Sequence, residues 1–277
     1  MKKVLLVLLI VVMLILGFGI MFYPYISTMH NHGVHAGLLQ EFNEAVNHMD
    51  VDEIESQFQR AFEYNEALYH GHVRDPFAEG AGLMSYEYYM ETLNINGVMA
   101  QLEIPAINVK LPVFHVINDD VLDRGVGHIP GTSFPVGGAN THSILTGHSG
   151  MPNARMFTDL KNIVIGDKFF ITVLDRKLAY QVDQITVVLP HEIGYLEFEK
   201  NADLVTLLTC TPYAVNTHRL LVRGTRIPYE PGMSDEITSM IGTASRWLAR
   251  IIMLALIFII ALIVYIVRKR AQRSRTY

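Results

Sequence analysis

The stretch DLVTLLTCTPYAVNTHRLLVRG, Asp203 to Gly224, decides how the rest of the chain is read. Two apolar, β-branched runs, Leu204–Cys210 and Leu220 onward, flank the turn formers Pro212 and Asn216, which spells strand, loop, strand. If the runs pair as a hairpin, the end of one lies beside the start of the next, and Cys210 meets Arg219 at one edge of a sheet. A thiol beside a permanent positive charge is in a setting that favours thiolate. The other reading of a lone cysteine is a small buried hydrophobe, and this stretch alone leaves both open.

A third apolar strand ends in Ile144-Leu145-Thr146-Gly147-His148-Ser149-Gly150. An imidazole at a strand end, followed by glycine, can be presented on a loop as a proton donor and acceptor. By spacing alone, a structural histidine stays an alternative.

Working outward, the chain has 277 residues, half of them hydrophobic, enough for one substantial core plus membrane segments. Val4 to Tyr23 is an uncharged apolar run of spanning length behind Lys2 and Lys3. Ile251 to Val267 is a second, with Trp247 and Tyr265 as interface anchors. No convincing small-residue cleavage site follows the first run, so an uncleaved anchor is expected rather than a signal peptide. Residues 1–26 and 247–277 carry no acidic residue but eight basic ones, which by the positive-inside tendency puts both termini in the cytoplasm. The intervening segment holds the remaining 14 basic and all 27 acidic residues. It is then an acidic exterior domain, which argues against a nucleic-acid partner. One cysteine in such a domain has no internal disulfide partner and is either incidental or a reactive thiol.

His30, His32 and His35 invite a metal reading, but no carboxylate or cysteine completes the pattern, so a polar connector running to Ala36 is expected. Gly37 to Met49 sets Leu38, Leu39, Phe42, Ala45, Val46 and Met49 on one helical face. Asp50 and Glu53 read as a capping box opening a second helix, whose face is Ile54, Phe58, Ala61, Phe62 and Leu68. Both are packing helices. Gly71, Pro76, Gly80 and Gly82 then break the pattern.

From Asn96 short apolar runs alternate with turn residues. Strands are expected at Val98–Ile104, Val109–His115, Ser143–Thr146, Phe169–Val173, Leu178–Val188, Leu204–Cys210 and Leu220–Ile227, indicating an all-β barrel or sandwich. Gly125 to Gly138 lacks a phosphate-loop lysine pattern and reads as a surface loop near the site, and Met151 to Leu160 as a short helix.

Thr206-Leu207-Leu208-Thr209-Cys210 resembles the sortase signature TLxTC. The flanking TGH with Gly150, CTPY and NTHRLLVRG are similar to class C sortases, which polymerise pilins on Gram-positive cells. The resemblance covers roughly Asn96 to Tyr229 and departs at Ser149, where the family commonly has arginine. It implies an eight-stranded β-barrel with N-terminal packing helices, flanked here by two transmembrane helices. The expected organisation is 1–26 anchor, 27–95 helices and lid loop, 96–230 catalytic barrel, 231–246 linker, and 247–277 transmembrane helix with a basic cytoplasmic tail.

The resemblance also implies roles. Cys210 is the nucleophile, His148 the general acid and base, and Arg219 the stabiliser of oxyanion and substrate. Asp75-Pro76-Phe77 is a lid over the site, with Phe77 covering Cys210 and Asp75 engaging the cationic side, Arg219 in particular. Neither cofactor nor metal is expected, and no acidic third member is evident near Cys210 or His148. Thr209 points to the opposite face of its strand, and His128, His142 and His218 carry no chemical role. The implied activity is cleavage of an LPXTG-like sorting signal through a thioacyl enzyme, resolved by a lysine of the next pilin subunit to give an isopeptide bond. Two other readings stay open: a sortase attaching proteins to peptidoglycan precursor, and a non-catalytic membrane-tethered adhesin or scaffold.

Overall fold

The computed structural model describes residues 2–71, 85–151, 154–192, 194 and 197–235. Eight strands, β1 (Val98–Ile104), β2 (Val109–His115), β3 (Val126–His128), β4 (Thr141–Thr146), β5 (Lys168–Val173), β6 (Arg176–Val188), β7 (Asp203–Thr211) and β8 (His218–Ile227), form the sheet. It closes into a barrel in the order β1-β2-β3-β4-β7-β8-β6-β5, leaving no free edge. Adjacent strands are antiparallel except β2 with β3 and β4 with β7. Antiparallel neighbours follow from short loops, as in the β5–β6 and β7–β8 hairpins. The parallel β4–β7 pair needs a long crossover, and β5 and β6 lie within it.

The seven expected strands are present, five of them one or two residues longer. The eighth, β3, corrects the reading of Gly125–Gly138 as a surface loop. Val126, His128, Ile129, Phe134 and Val136 are buried, and Gly127 lies so close to the neighbouring chain that a Cβ would sit 2.3 Å from Val116 O. Only glycine admits that approach. Met151–Leu160 is likewise not a helix; its described residues make turns that lead into a single 3₁₀ turn at Leu160–Asn162.

Helix α1 runs unbroken from Lys2 to His48, so the connector expected to Ala36 is helical. Neither Gly33 nor Gly37 stops it. Glycine costs a helix about 1 kcal/mol against alanine, and the following turns offset this by burying Leu39, Phe42 and Val46. Full burial of a side chain of that size stabilises by about 1.5–3 kcal/mol. Helix α2 (Val51–His70) has Asp50 at its N-cap position, but that side chain makes no capping bond, so the expected box is not formed. Asp52 and Glu53 still place negative charge on the first turn.

The buried face of α2 is Phe58, Ala61, Tyr64 and Asn65, while Phe62 is exposed and stacks on Phe58. Asn65 replaces it as the anchor. Its Nδ2 donates to Phe134 O at 3.1 Å, and its Oδ1 accepts from Phe134 N at 2.7 Å. The short helix α3 (Tyr86–Glu91) buries Tyr89 against Phe134 and His128. Helices and barrel belong to one compact unit ending at Glu230, and the described part of a second unit stops at Asp235.

Among the described residues no helix is long and apolar enough to cross a membrane. The expected span Ile251–Val267 lies outside the described residues, as do most side chains of Val4–Tyr23. The Asp75-Pro76-Phe77 lid lies outside them too.

Candidate active site

β7 delivers Cys210 near its end, and β8 begins with His218 and Arg219 after the Pro212–Thr217 loop. Cys210 and Arg219 are register partners, as are Thr209 with Leu220 and Leu208 with Leu221. Side chains alternate along β7. Val205 and Leu207 enter the barrel core, and Thr209 is buried with them. Leu208 and Cys210 take the opposite face, where Leu221 and Arg219 join them from β8.

The carbonyls of Leu208 and Cys210 both turn toward the β4 side, where they accept from Gly147 N at 3.1 Å and Ser149 Oγ at 2.6 Å. Cys210 therefore spends no main-chain bond on Arg219. The pair is of the narrow, non-hydrogen-bonded kind, in which Cα atoms approach to about 4.5 Å and the side chains lie closest.

The parallel pairing of β4 with β7 ends at Thr146 opposite Leu208. His148, two residues further on, enters the same cleft as Cys210 and Arg219. The three sequence-predicted residues thus share one cavity of about 390 Å³, walled by Ile117, Leu122, Ile129, Val188, Leu208 and Leu221. An apolar cleft with a few convergent polar groups is how a ligand site is ordinarily built. Glu192 stands in its lining.

The Arg219 guanidinium donates through Nη1 to Asn216 O and His218 O, each at 3.2 Å. Those two carbonyls aim the fork without neutralising it, and among the described residues no carboxylate pairs with it. A cation held this way suits a developing oxyanion. The ionic neighbour of His148 is Asp123, whose Oδ1 lies 3.9 Å from Nε2. This carboxylate was not legible in the sequence, because it stands 25 residues upstream, at the end of the one-turn helix α4 (Asp119–Leu122). Both partners are substantially solvent-exposed, so the attraction is weak.

Three other histidines of the barrel, His115, His128 and His142, are buried and bonded within the fold. His128 is fully buried, with Nε2 donating to Ser133 O at 2.8 Å and Nδ1 facing the Tyr89 hydroxyl at 3.0 Å. Burial pushes its pKa down to about 3. Burial also lowers His115, which donates from Nε2 to Thr92 O, and His142, whose Nδ1 donates to Glu197 O while Nε2 faces Thr206 Oγ1. Thr209, expected to be structural, donates from Oγ1 to Gly147 O at 2.7 Å. Among the described residues no three His, Cys, Asp or Glu side chains gather as metal ligands would.

Comparison with known proteins bears on the family and the fold. The sortase domain family matches residues 102–227. Sortase A of Bacillus anthracis is 25% identical over 133 residues, 48% of this chain and 61% of the relative. The match thus spans less than two thirds of that relative's length. Among solved structures, sortase C1 of Streptococcus agalactiae is 42% identical with a TM-score of 0.64, over 71% of this chain and 97% of the other. Sortase C of Streptococcus pneumoniae is 41% identical with a TM-score of 0.63, over 70% and 97%. With this barrel, a strand-end cysteine facing an arginine, and relatives of that identity over nearly their whole length, the chain belongs to the sortase family of cysteine transpeptidases, on its class C side.

Proposed function

We propose that this protein joins pilin subunits by transpeptidation. The observation that carries the reading is the narrow Cys210–Arg219 pair opening into the cleft that His148 also enters. The Cys210 sulfur attacks the threonine carbonyl carbon of an LPXTG-like signal. Arg219 stabilises the oxyanion, and the Thr–Gly C–N bond breaks as His148 gives a proton to the leaving amine. The thioester that remains is attacked by a lysine ε-amine of the next subunit. His148 takes the amine's proton, the isopeptide bond forms, and the cysteine leaves. The S. pneumoniae relative has been analysed for pilin substrate specificity, which supports the choice of pilins.

A lid of Asp75, Pro76 and Phe77 covers the cleft between turnovers. A lid mutant of S. agalactiae sortase C1 is among the similar structures, which supports giving this chain one as well. A carboxylate from Asp75 has a ready partner in Arg219, which among the described residues is paired only with main-chain carbonyls. The two apolar runs anchor the protein in the cell membrane with both termini cytoplasmic and the barrel outside.

The test is to incubate the full chain, in detergent, with pilin subunits that carry an LPXTG-type signal. Covalent ladders that disappear with Cys210→Ala are expected. Efficient coupling to short glycine nucleophiles without ladders would favour peptidoglycan anchoring instead. A Cys210→Ala variant that loses nothing would mean a non-catalytic scaffold.

A further inference from the structure

Three hydroxyls stitch the chain leaving β4 to the end of β7. Thr146 Oγ1 donates to Leu208 O at 3.1 Å, Thr209 Oγ1 to Gly147 O at 2.7 Å, and Ser149 Oγ to Cys210 O at 2.6 Å. One main-chain bond, Gly147 N to Leu208 O, lies among them. His148 therefore sits between two tied residues. The one before it is held to Leu208 and Thr209, and the one after it to the nucleophile's own carbonyl. His148 O in turn accepts from Phe157 N at 2.9 Å.

Past Ser149 the chain turns sharply. Gly150 has φ +82 and donates to Thr158 Oγ1 at 3.0 Å, and a Cβ there would meet the Tyr213 ring at 3.3 Å. The histidine loop is thus packed against the loop that joins Cys210 to Arg219.

We propose that Ser149 is a positioning residue, which sets the imidazole of His148 against the thiol of Cys210 by bonding to the Cys210 carbonyl. Serine suits the task because its hydroxyl stands on one carbon and reaches the carbonyl with little rotamer freedom to lose. A guanidinium on three methylenes would have to fold back to do the same. Proton transfer between imidazole and sulfur is sensitive to separation, and a displacement near 1 Å can cost about a hundredfold in rate. The alignment serves the transpeptidase reading above, on which the inference rests for its kinetic consequence alone.

The experiment compares the full chain with Ser149→Ala and Ser149→Thr. It measures kcat and KM for cleavage of an LPXTG-type peptide, the rate at which iodoacetamide alkylates Cys210 at neutral pH, and Tm. Ser149→Ala is expected to lower kcat about tenfold and slow alkylation about threefold, with KM and Tm nearly unchanged. Ser149→Thr, which keeps the hydroxyl, is expected to restore both rates to within about twofold. The proposal is overturned if Ser149→Ala matches the parent in both rates, or if Ser149→Thr is as slow as Ser149→Ala. If the parent does not cleave the peptide, the transpeptidase reading fails, and the alkylation rates decide the role of Ser149 by themselves.

Discussion

Cys210 and Arg219 face each other across β7 and β8 with the Cys210 carbonyl turned away, toward Ser149 on the β4 side. The two residues thereby take the closest cross-strand Cα spacing that an antiparallel pair offers. The arginine's reach is limited further by its bonds to Asn216 O and His218 O.

Replacing Arg219 by lysine should therefore remove most activity even though charge is kept. An ammonium lacks the planar fork that holds two carbonyls while still pointing a donor into the cleft. A fall in kcat of about a hundredfold, the scale of losing one oxyanion donor, with Tm nearly unchanged, is the expected outcome of steady-state kinetics and a thermal melt. Near-normal turnover would remove Arg219 from the chemistry.

The lid assignment makes a separate prediction. Phe77→Ala and Asp75→Ala should each speed labelling of Cys210 by a membrane-impermeant thiol reagent on intact cells, by about tenfold if the closed form dominates. Unchanged rates in both variants would count against a lid at this place.

Asn65 is the polar pin between α2 and the barrel, satisfying both main-chain groups of the buried Phe134. Asn65→Ala leaves the buried Phe134 N–H without a partner, while Phe134 O keeps its bond from Val136 N. An orphaned buried N–H costs about 1–3 kcal/mol, and urea unfolding should report a loss on that scale. Asn65→Asp should be damaging as well, since a carboxylate has no N–H for Phe134 O.

Stability should fall with acid between pH 6.5 and 5. His128 is held neutral by burial, with a folded pKa near 3, whereas the unfolded chain takes up a proton around 6.5. Lowering the pH through 6.5 thus stabilises the unfolded state first, and His128 alone accounts for about 2 kcal/mol by pH 5. His115 and His142 add in the same direction. Asp203, pushed up by burial, acts the opposite way at lower pH, so the comparison belongs above pH 5. Chemical unfolding at pH 7 and pH 5 should show this loss, and His128→Gln should flatten the dependence. An equal slope in that variant would contradict the assignment.

The second helix shows where the sequence reading went astray. Phe62 and Asn65 lie three residues apart, and by apolarity alone the phenylalanine is the better core residue. Asn65 is buried because two main-chain groups of Phe134 await it, a demand that no periodicity records. β3 was missed for a related reason: three residues beginning Val126-Gly127 are too few to display alternation, and the strand exists because β2 and β4 flank it.

What the amino-acid order determined by itself was local. The Leu204–Gly224 hairpin carries its own register through a short loop, so the meeting of Cys210 with Arg219 was legible from contiguous residues. The tertiary structure alone decided how His148 reaches them. The β4–β7 pair is parallel and separated in sequence by an entire hairpin, and its alignment depends on barrel closure and on hydroxyl-to-carbonyl bonds from Thr146, Thr209 and Ser149. Hydrogen bonds are directional and short, so their partners are set only when the whole barrel has brought distant strands within reach.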